Sequence, residues 1–202
     1  MILAIDTSTA ACSAALFDSD GSCVAHRDEL IGRGHSERLV PMLDEMLDGQ
    51  KSDRILVGVG PGSFTGIRVG IAAAQGLAIA WNCDLKGMSS LALLAAGAER
   101  GSVGAAVDGG HGELFVQQFD GVSLNATTDL FNLPPSEAAE YIDADMVIGP
   151  GAKALVEARG SGQSNDGWPS ARHALRLPEA LRSLPPKPVY ARAPDAKARH
   201  AA

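Results

Sequence analysis

The chain has 202 residues, of which 46% are apolar and 20% are charged, so it can bury a core as one large domain or two small lobes. Its net charge of -7 argues against unaided binding of nucleic acid through phosphates, although it does not exclude work on RNA inside a complex. The three cysteines, without a CxxC spacing, predict neither a disulfide framework nor a zinc ribbon. We therefore expect a cytoplasmic protein, and the opening MILAIDTSTA does not have the pattern of a signal peptide.

The first half of the chain predicts strands and helices in the order βββαβαβα. Apolar runs are typical of buried strands, and the DSDG sequence at 18–21 predicts a hairpin turn. Ser36 is the candidate N-cap of the first helix, and Glu37 suits its first turn. The predicted strands are 2–5, 11–17, 22–30, 54–59 and 83–87, and the predicted helices are 36–47, 66–80 and one from Ser89 or Ser90 to about 99.

The stretch 54–80 is the most unusual part of the sequence, since it joins a β-branched strand to a helix that is apolar nearly all round. Glycines and a proline at 60–62 predict a turn, and Ser63 or Thr65 can cap the helix. A face of this helix is almost bare of side chains. Its members are Gly66, Gly70, Ala73 and Leu77.

Each glycine inside a helix costs up to ~1 kcal/mol against alanine, so we expect a close backbone approach that offsets this cost. We predict that one side of the helix lies on its own sheet and that the other side belongs partly to a contact surface. The run 66–80 is shorter than the ~20 residues that span a bilayer, and it contains Arg68.

The pattern of the second half predicts a shorter version of the element order of the first half. Strands are expected over 103–107, which ends at Asp108, and over 112–119 and 145–148, with helices from about 136 and over 152–158. The polar, glycine-rich 160–170 predicts a flexible loop, 177–184 a last helix and 188–192 an extended segment, with a loose tail beyond. We divide the chain into a first lobe, 1–100, and a smaller second lobe, 101–202.

Several segments together resemble one known family. They are ILAIDTSTAACSAALFD, GHSERLVPMLDEML, VGPGSFTGIRVGIAAAQGLA, SSLALLA and the late PVYARAPDA. They are similar to TsaB, also called YeaZ, the dimerisation subunit of the bacterial machinery that makes N6-threonylcarbamoyladenosine in tRNA. The resemblance is dense from residue 2 to about 94, thin over 103–151, and returns near 188–196.

The resemblance implies an α/β fold of the actin/hexokinase/Hsp70 type, with two ribonuclease-H-like lobes of which the second is shortened. It also implies a non-catalytic subunit that pairs with the paralogue TsaD, which carries the transfer chemistry, while the ATPase TsaE joins them. We expect a homodimer when the chain is alone, contact with tRNA only through the complex, and no membrane. No cofactor is expected on this chain alone, although ATP and magnesium are possible in the complex.

By the same resemblance, the pairing surface lies on the helices that start at His35 and Gly66. Burial of small residues and of a Leu39/Leu43/Met46 stripe would drive the contact, with Arg38 on a polar rim. The expected interface residues are His35, Ser36, Arg38, Leu39, Met42, Leu43, Met46, Gly66, Arg68, Val69, Gly70, Ala73, Ala74 and Leu77.

A second candidate site comprises Asp6, Thr7 and Ser8 after the first strand, with Asp108 as their counterpart in the second lobe. In the wider superfamily such a turn surrounds a nucleotide phosphate, and its Asp helps to organise a metal. The residues alone favour a structural role, because Asp and Thr are ordinary turn residues. A vestigial site, or a nucleotide site shared at an interface, stays open.

No histidine pair has HxxxH or HExxH spacing, so we predict no helical metal site. TsaD paralogues carry an HxxxH pair that is missing here. His111 stands where family members more often carry basic residues, and we expect it to be exposed. Two rival hypotheses remain: a small-substrate kinase or ATPase that uses the Asp6 and Asp108 turns, and a metallopeptidase-like protein.

Overall fold

In the computed structural model, which describes residues 1–98 and 101–189, the first half of the chain forms a five-stranded mixed sheet. Its strands are β1 (Ile2–Asp6), β2 (Ala11–Phe17), β3 (Cys23–Leu30), β4 (Arg54–Gly58) and β5 (Asp84–Met88). They lie in the order β3-β2-β1-β4-β5, where β1 pairs antiparallel with β2 and parallel with β4. The predicted bounds of β2 are confirmed to the residue.

A second five-stranded sheet repeats this topology. Its strands are β6 (Ser102–Gly110), β7 (Glu113–Asp120), β8 (Phe131–Leu133), β9 (Met146–Ile148) and β10 (Gln163–Asn165). Their order is β10-β9-β6-β7-β8, with β6 antiparallel to β7 and parallel to β9. The two sheets therefore have the same strand order and directions, which confirms the predicted echo between the halves.

Helices cover the sheets and separate them. They are α1 (His35–Leu47), α2 (Phe64–Trp81), α3 (Ser90–Ala95), α4 (Pro135–Ala138), α5 (Ala152–Arg159) and α6 (Glu179–Arg182), with a 3-10 helix over Ala171–Arg176. One core cluster joins β1 and β4 to α1 and α2, and another joins the second sheet to α4 and α5. The largest cluster includes the five apolar residues of α3 together with residues of both sheets, so this short helix lies at the centre of the fold.

The last described segment returns to the first sheet. The amide of Ala171 donates to Ser13 Oγ at 2.6 Å, and Ser170 Oγ donates to Asp28 Oδ2 at 2.7 Å. Further along, Gly87 N donates to Leu184 O at 2.7 Å. The assignment of all of 101–202 to the second lobe is therefore wrong for residues 170–189, which pack on the first.

Several predicted elements differ from the structure. Strand β8 was not predicted, and β10 lies inside the predicted flexible loop 160–170, where it pairs with β9. In place of a single helix over 177–184, a 3-10 helix precedes Leu177 and α6 starts after Pro178. Helix α3 ends at Ala95, before the predicted end near residue 99. The segment 190–196 lies outside the described residues.

Helix α2 is longer than predicted, with 18 residues. Ser63, one of the two predicted candidates, is its N-cap, and its side chain accepts a hydrogen bond from Gly66 N. By length and composition alone α2 could cross a bilayer, but the core helices of many water-soluble proteins pass the same test. The length argument against a membrane span is therefore wrong, and the absence of a membrane stays a prediction.

Candidate functional site

The apolar stripe predicted as a contact surface on α1 lies in the core of its own lobe. Leu39 and Met42 are fully buried, and Leu43 and Met46 are nearly so, against β1 and β4 residues such as Leu3. Leu39 and Met42 therefore have no exposed surface for a partner. The stripe was correctly identified as a buried face, but what covers Leu39 and Met42 is the core of the chain's own lobe.

The close backbone approach predicted for α2 is also made within the chain. A Cβ built on Gly66 would lie 2.1 Å from the carbonyl oxygen of Thr7, and one on Gly70 would lie 2.4 Å from Thr7 Oγ1. Thr7 Oγ1 donates to Gly66 O at 2.7 Å. Gly66, Gly70 and the fully buried Ala74 thus fit α2 onto its own sheet, so their assignment to a partner interface is wrong.

The start of α1 is organised differently from the prediction. Its N-cap is Gly34, with φ 92°, and Ser36 lies inside the first turn, where its hydroxyl donates to Glu37 Oε2 at 2.8 Å. The predicted Ser36 cap is therefore wrong. His35 is buried and its Nε2 lies 3.2 Å from Ala11 O, which removes it from the predicted interface.

Arg38 lies at the edge of α1 in an ion pair with β3. Its guanidinium donates twice to Glu29, at 2.6 Å each, and twice to Glu45, at 3.0 and 3.4 Å. Hydrogen bonds from Arg38 hold the pKa of both carboxyls below the usual range. This half-exposed cluster is the polar flank of α1, and Arg38 already has two partners within the chain.

An open apolar groove runs between α1 and the second half of α2. It has a volume of about 480 Å³ and includes Val40, whose side chain is 61% exposed. The groove residues are Val40, Leu43, Asp44, Leu47, Gly49, Gln50, Lys51, Ala73, Gly76, Leu77 and Trp81. Of the predicted interface residues, Ala73 and Leu77 lie in this groove, together with the edge of Leu43.

Gly76 is the glycine of α2 that a second molecule could approach. A Cβ built on it would meet nothing within 4 Å, in contrast to Gly66 and Gly70. Val69 is half-buried, and Arg68 is exposed with its guanidinium over the Phe64 ring at 3.6 Å. Val40, Gly76 and Trp81 line the groove but were not among the predicted interface residues, although the position of Val40 beside the α1 stripe was a usable signal.

The carboxylate of Asp6 is buried and fully engaged inside the protein. Its Oδ1 accepts from Ser8 N at 2.9 Å and Ser8 Oγ at 2.7 Å, and its Oδ2 accepts from Ser90 Oγ at 2.7 Å. Burial raises the pKa of Asp6, and the hydrogen bonds from Ser90 and Ser8 offset part of that rise. Ser90 Oγ also accepts from Gly60 N at 3.2 Å, so the carboxylate ties three loops together.

The four predicted nucleotide-site residues are not equally accessible. Asp6, Thr7 and Ser8 are 1% exposed or less, whereas Asp108 is exposed near the end of β6 and accepts from Gly110 N at 2.7 Å. Ser8 and Asp108 line the same cleft, but Asp6 and Thr7 do not. Within residues 1–98 and 101–189, no group of three His, Cys, Asp or Glu side chains could hold a metal ion.

This cleft lies between the two lobes and has a volume of about 760 Å³. Its walls come from the β1–β2 turn, the start of α2, the end of β6 and the last described segment. Phe64 and Trp168 lie in its lining and were not predicted from sequence. His111 is exposed in the nearby β6–β7 turn, as expected, with φ 56°.

Comparison with known proteins decides the family. The model of TsaD, tRNA N6-adenosine threonylcarbamoyltransferase, matches residues 28–133. The structure of YeaZ from Pseudomonas aeruginosa is 30% identical, with a TM-score of 0.77, and the match covers 94% of this chain and 98% of that one. The chain belongs to the TsaB/YeaZ family.

Other relatives of the TsaB/YeaZ family agree. A second structure, described as an uncharacterized protein with similarity to peptidase YeaZ from P. aeruginosa, is 32% identical with a TM-score of 0.76, over 95% of this chain and 99% of that one. The Escherichia coli tRNA threonylcarbamoyladenosine biosynthesis protein TsaB is 42% identical over 58% of this chain and 54% of its own length. The Haemophilus influenzae TsaB is 39% identical over 58% of this chain and 52% of its own length.

The chain thus spans about half the length of the curated TsaB relatives it matches. The match to the YeaZ structure, in contrast, covers nearly the whole of both chains. Together with the repeated sheet topology, it identifies the two-lobe α/β fold of the actin/hexokinase/Hsp70 type, with a smaller second lobe, as predicted.

Proposed function

We propose that this chain is a non-catalytic scaffold subunit in the biosynthesis of threonylcarbamoyladenosine in tRNA, and that it acts in the cytoplasm. It pairs with the TsaD paralogue, which carries the transfer chemistry, and the ATPase TsaE joins them. The observation that carries this proposal is an open apolar groove on a chain of the TsaB/YeaZ family. The names of the curated TsaB relatives supply the pathway.

The groove has the properties of a partner surface. Its walls expose Val40, Leu77 and Trp81, and Gly76 lets another backbone come close to α2. Ile79 is 83% exposed on the same helix. A standard interface buries ~1,600 Å² in total, which helices α1 and α2 facing two helices of a partner can supply. Asp44 and Lys51 provide a polar rim around this apolar centre.

The non-catalytic part of the proposal rests on the positions of the candidate catalytic groups. A kinase or ATPase that uses Asp6 needs this carboxylate to face a ligand, whereas both of its oxygens accept hydrogen bonds from serines. Calorimetry of the chain with ATP and magnesium tests this rival, because sub-millimolar binding with turnover would favour it. A casein digestion with a chelator control tests the metallopeptidase alternative.

Co-purification with the TsaD paralogue, followed by a transfer assay, tests the scaffold role. We expect the chain to elute with TsaD and, in the absence of TsaD, as a homodimer. Threonylcarbamoyl transfer to tRNA by TsaD and TsaE should require this chain, while the chain alone should transfer nothing. Full transfer activity without the chain would contradict the proposal.

A further inference from the structure

The cleft between the lobes is a second ligand-sized site, separate from the groove on α1 and α2. Its volume of about 760 Å³ lies within the ~300–1,000 Å³ typical of small-molecule sites. The two sites share no lining residue. Occupation of the cleft is therefore compatible with a partner on the groove.

Among residues 1–98 and 101–189, the charges that line the cleft do not suit a phosphate. Asp108 is the one ionisable side chain among its described lining residues, and no lysine, arginine or histidine is among them. An anionic ligand would approach this carboxylate without a counter-charge in the lining. A positive or uncharged ligand meets no such repulsion.

Four backbone donors around this cleft are already used within the chain. Ser8 N donates to Asp6 Oδ1 at 2.9 Å, and Ser63 N donates to Ser8 O at 2.7 Å. Gly66 N donates to Ser63 Oγ at 3.2 Å, and Gly110 N donates to Asp108 Oδ1 at 2.7 Å. A phosphate that bound through these four donors would have to break these bonds, because a backbone N–H has one hydrogen to donate.

Aromatic rings and two polar groups define what the cleft can hold. Phe64, Phe115 and Trp168 line it, and the Trp168 side chain is 37% exposed there. Such rings favour stacking with a planar ligand. Thr9 and Asp108 also lie in the lining, where their oxygens can accept hydrogen bonds from hydroxyl or amino groups.

We propose that the cleft binds a planar ring compound that carries hydroxyl or amino groups, is uncharged or cationic, and has no phosphate. The site therefore keeps the position of the predicted nucleotide site but takes a different class of ligand. Ring stacking on Trp168 provides affinity, and Asp108 selects against anions.

Calorimetric titration of the full chain with adenosine, inosine and tyramine, and separately with ATP in the presence and absence of magnesium, tests this inference. We expect at least one of the three phosphate-free probes to bind at least tenfold more tightly than ATP. Loss of a stacking ring reduces binding about tenfold, so Trp168→Ala should show a loss of this size. Tyr141→Ala, at a half-exposed ring outside the cleft lining, is the matched control and should bind like the wild type.

Asp108→Asn separates charge from shape. The substitution should weaken the binding of tyramine more than that of adenosine. It should also improve the binding of ATP, because it removes the negative charge that repels the phosphates. Three outcomes would overturn the inference: no binding of any phosphate-free probe, ATP binding as tight as theirs, or probe binding that Trp168→Ala leaves unchanged in a variant with a wild-type circular dichroism spectrum. None of these results bears on association with TsaD, so the scaffold proposal is tested independently.

Discussion

Gly66 has no room for a side chain, because a Cβ at this position would lie 2.1 Å from the carbonyl oxygen of Thr7. Helix α2 therefore lies with its backbone directly on the end of β1. The cost of a glycine in the helix is offset by this contact with the chain's own sheet. Gly76, in the same helix, has no such neighbour within 4 Å.

We expect Gly66→Ala and Gly76→Ala to change stability in opposite directions. The first pushes a methyl group into backbone, and overpacking of this kind costs ~1–3 kcal/mol. The second removes a flexible residue from an open helix position and should add up to ~1 kcal/mol to the free energy of unfolding. Urea unfolding followed by circular dichroism measures both, and equal effects of the two substitutions would contradict the packing of α2.

Asp6 should make stability depend on pH in an unusual direction. Because burial raises its pKa above the ordinary 3.8, the folded chain holds this proton more tightly than the unfolded chain. This contribution to stability is present below about pH 3.8 and is lost as pH rises through the folded-state pKa of Asp6.

Asp6→Asn removes this dependence while keeping a similar shape. The stability of the variant relative to the wild type should therefore increase from pH 4 upward, until the wild-type Asp6 is fully ionised. Urea unfolding of both proteins over a pH series measures the difference, which cancels the contributions of other carboxyls. A difference that stays constant with pH would show that the pKa of Asp6 is not raised.

The three thiols should react at different rates. Cys23 is exposed on β3 and Cys83 is half-buried, whereas Cys12 is buried in β2. Burial raises the pKa of the Cys12 thiol to about 11, so little of it is thiolate near neutral pH. Ellman's reagent should label Cys23 first and Cys12 after unfolding, and Cys23→Ser should remove the fastest phase. Rapid labelling of Cys12 in the folded chain would contradict the packing of β2.

Gln118 ties the second sheet to the loop before β9. Its Oε1 accepts from Asp143 N and Ala144 N at 2.9 Å each, and its Nε2 donates to Asp143 Oδ1 at 2.7 Å. Gln118→Leu leaves these amides without their partner. Each group that becomes both buried and unpaired should lower the free energy of unfolding by ~1–3 kcal/mol. Gln117→Leu, on the adjacent half-buried position with one bond to Thr128 O, is the control and should cost less in urea unfolding.

Periodicity and caps predicted the first lobe well. The alternation of apolar runs and turn residues gave the element order of the first half, and the hydroxyl of Ser63 was a correct cap candidate. Strands β8 and β10 have three residues each and are partly or fully exposed, so they carry no hydrophobic pattern. Ser36 failed as a cap because Gly34, which adopts a positive φ easily, starts the helix one residue earlier.

The contact surface shows a limit of sequence patterns. An apolar stripe such as Leu39 and Leu43 predicts burial, but it does not say whether the covering surface belongs to the same chain. Gly66 and Gly70 lie on the predicted bare face of α2 and Gly76 lies beside it, but the sequence does not show which of them the chain's own sheet covers: the first two lie against Thr7, and Gly76 faces open space. Only the fold distinguishes them, so the groove could not be separated from the core of the lobe beforehand.

The most direct test of the scaffold account compares Gly76→Arg with Gly76→Ala in association with the TsaD paralogue. Ala154→Arg, on the exposed side of α5, is the control for the added charge. All three variants are first checked for a wild-type circular dichroism spectrum, and their association constants are then measured by calorimetry. The account predicts that Gly76→Arg weakens association at least a hundredfold while Ala154→Arg binds like the wild type. Unchanged association of Gly76→Arg would contradict it, because the groove would then not be the partner surface.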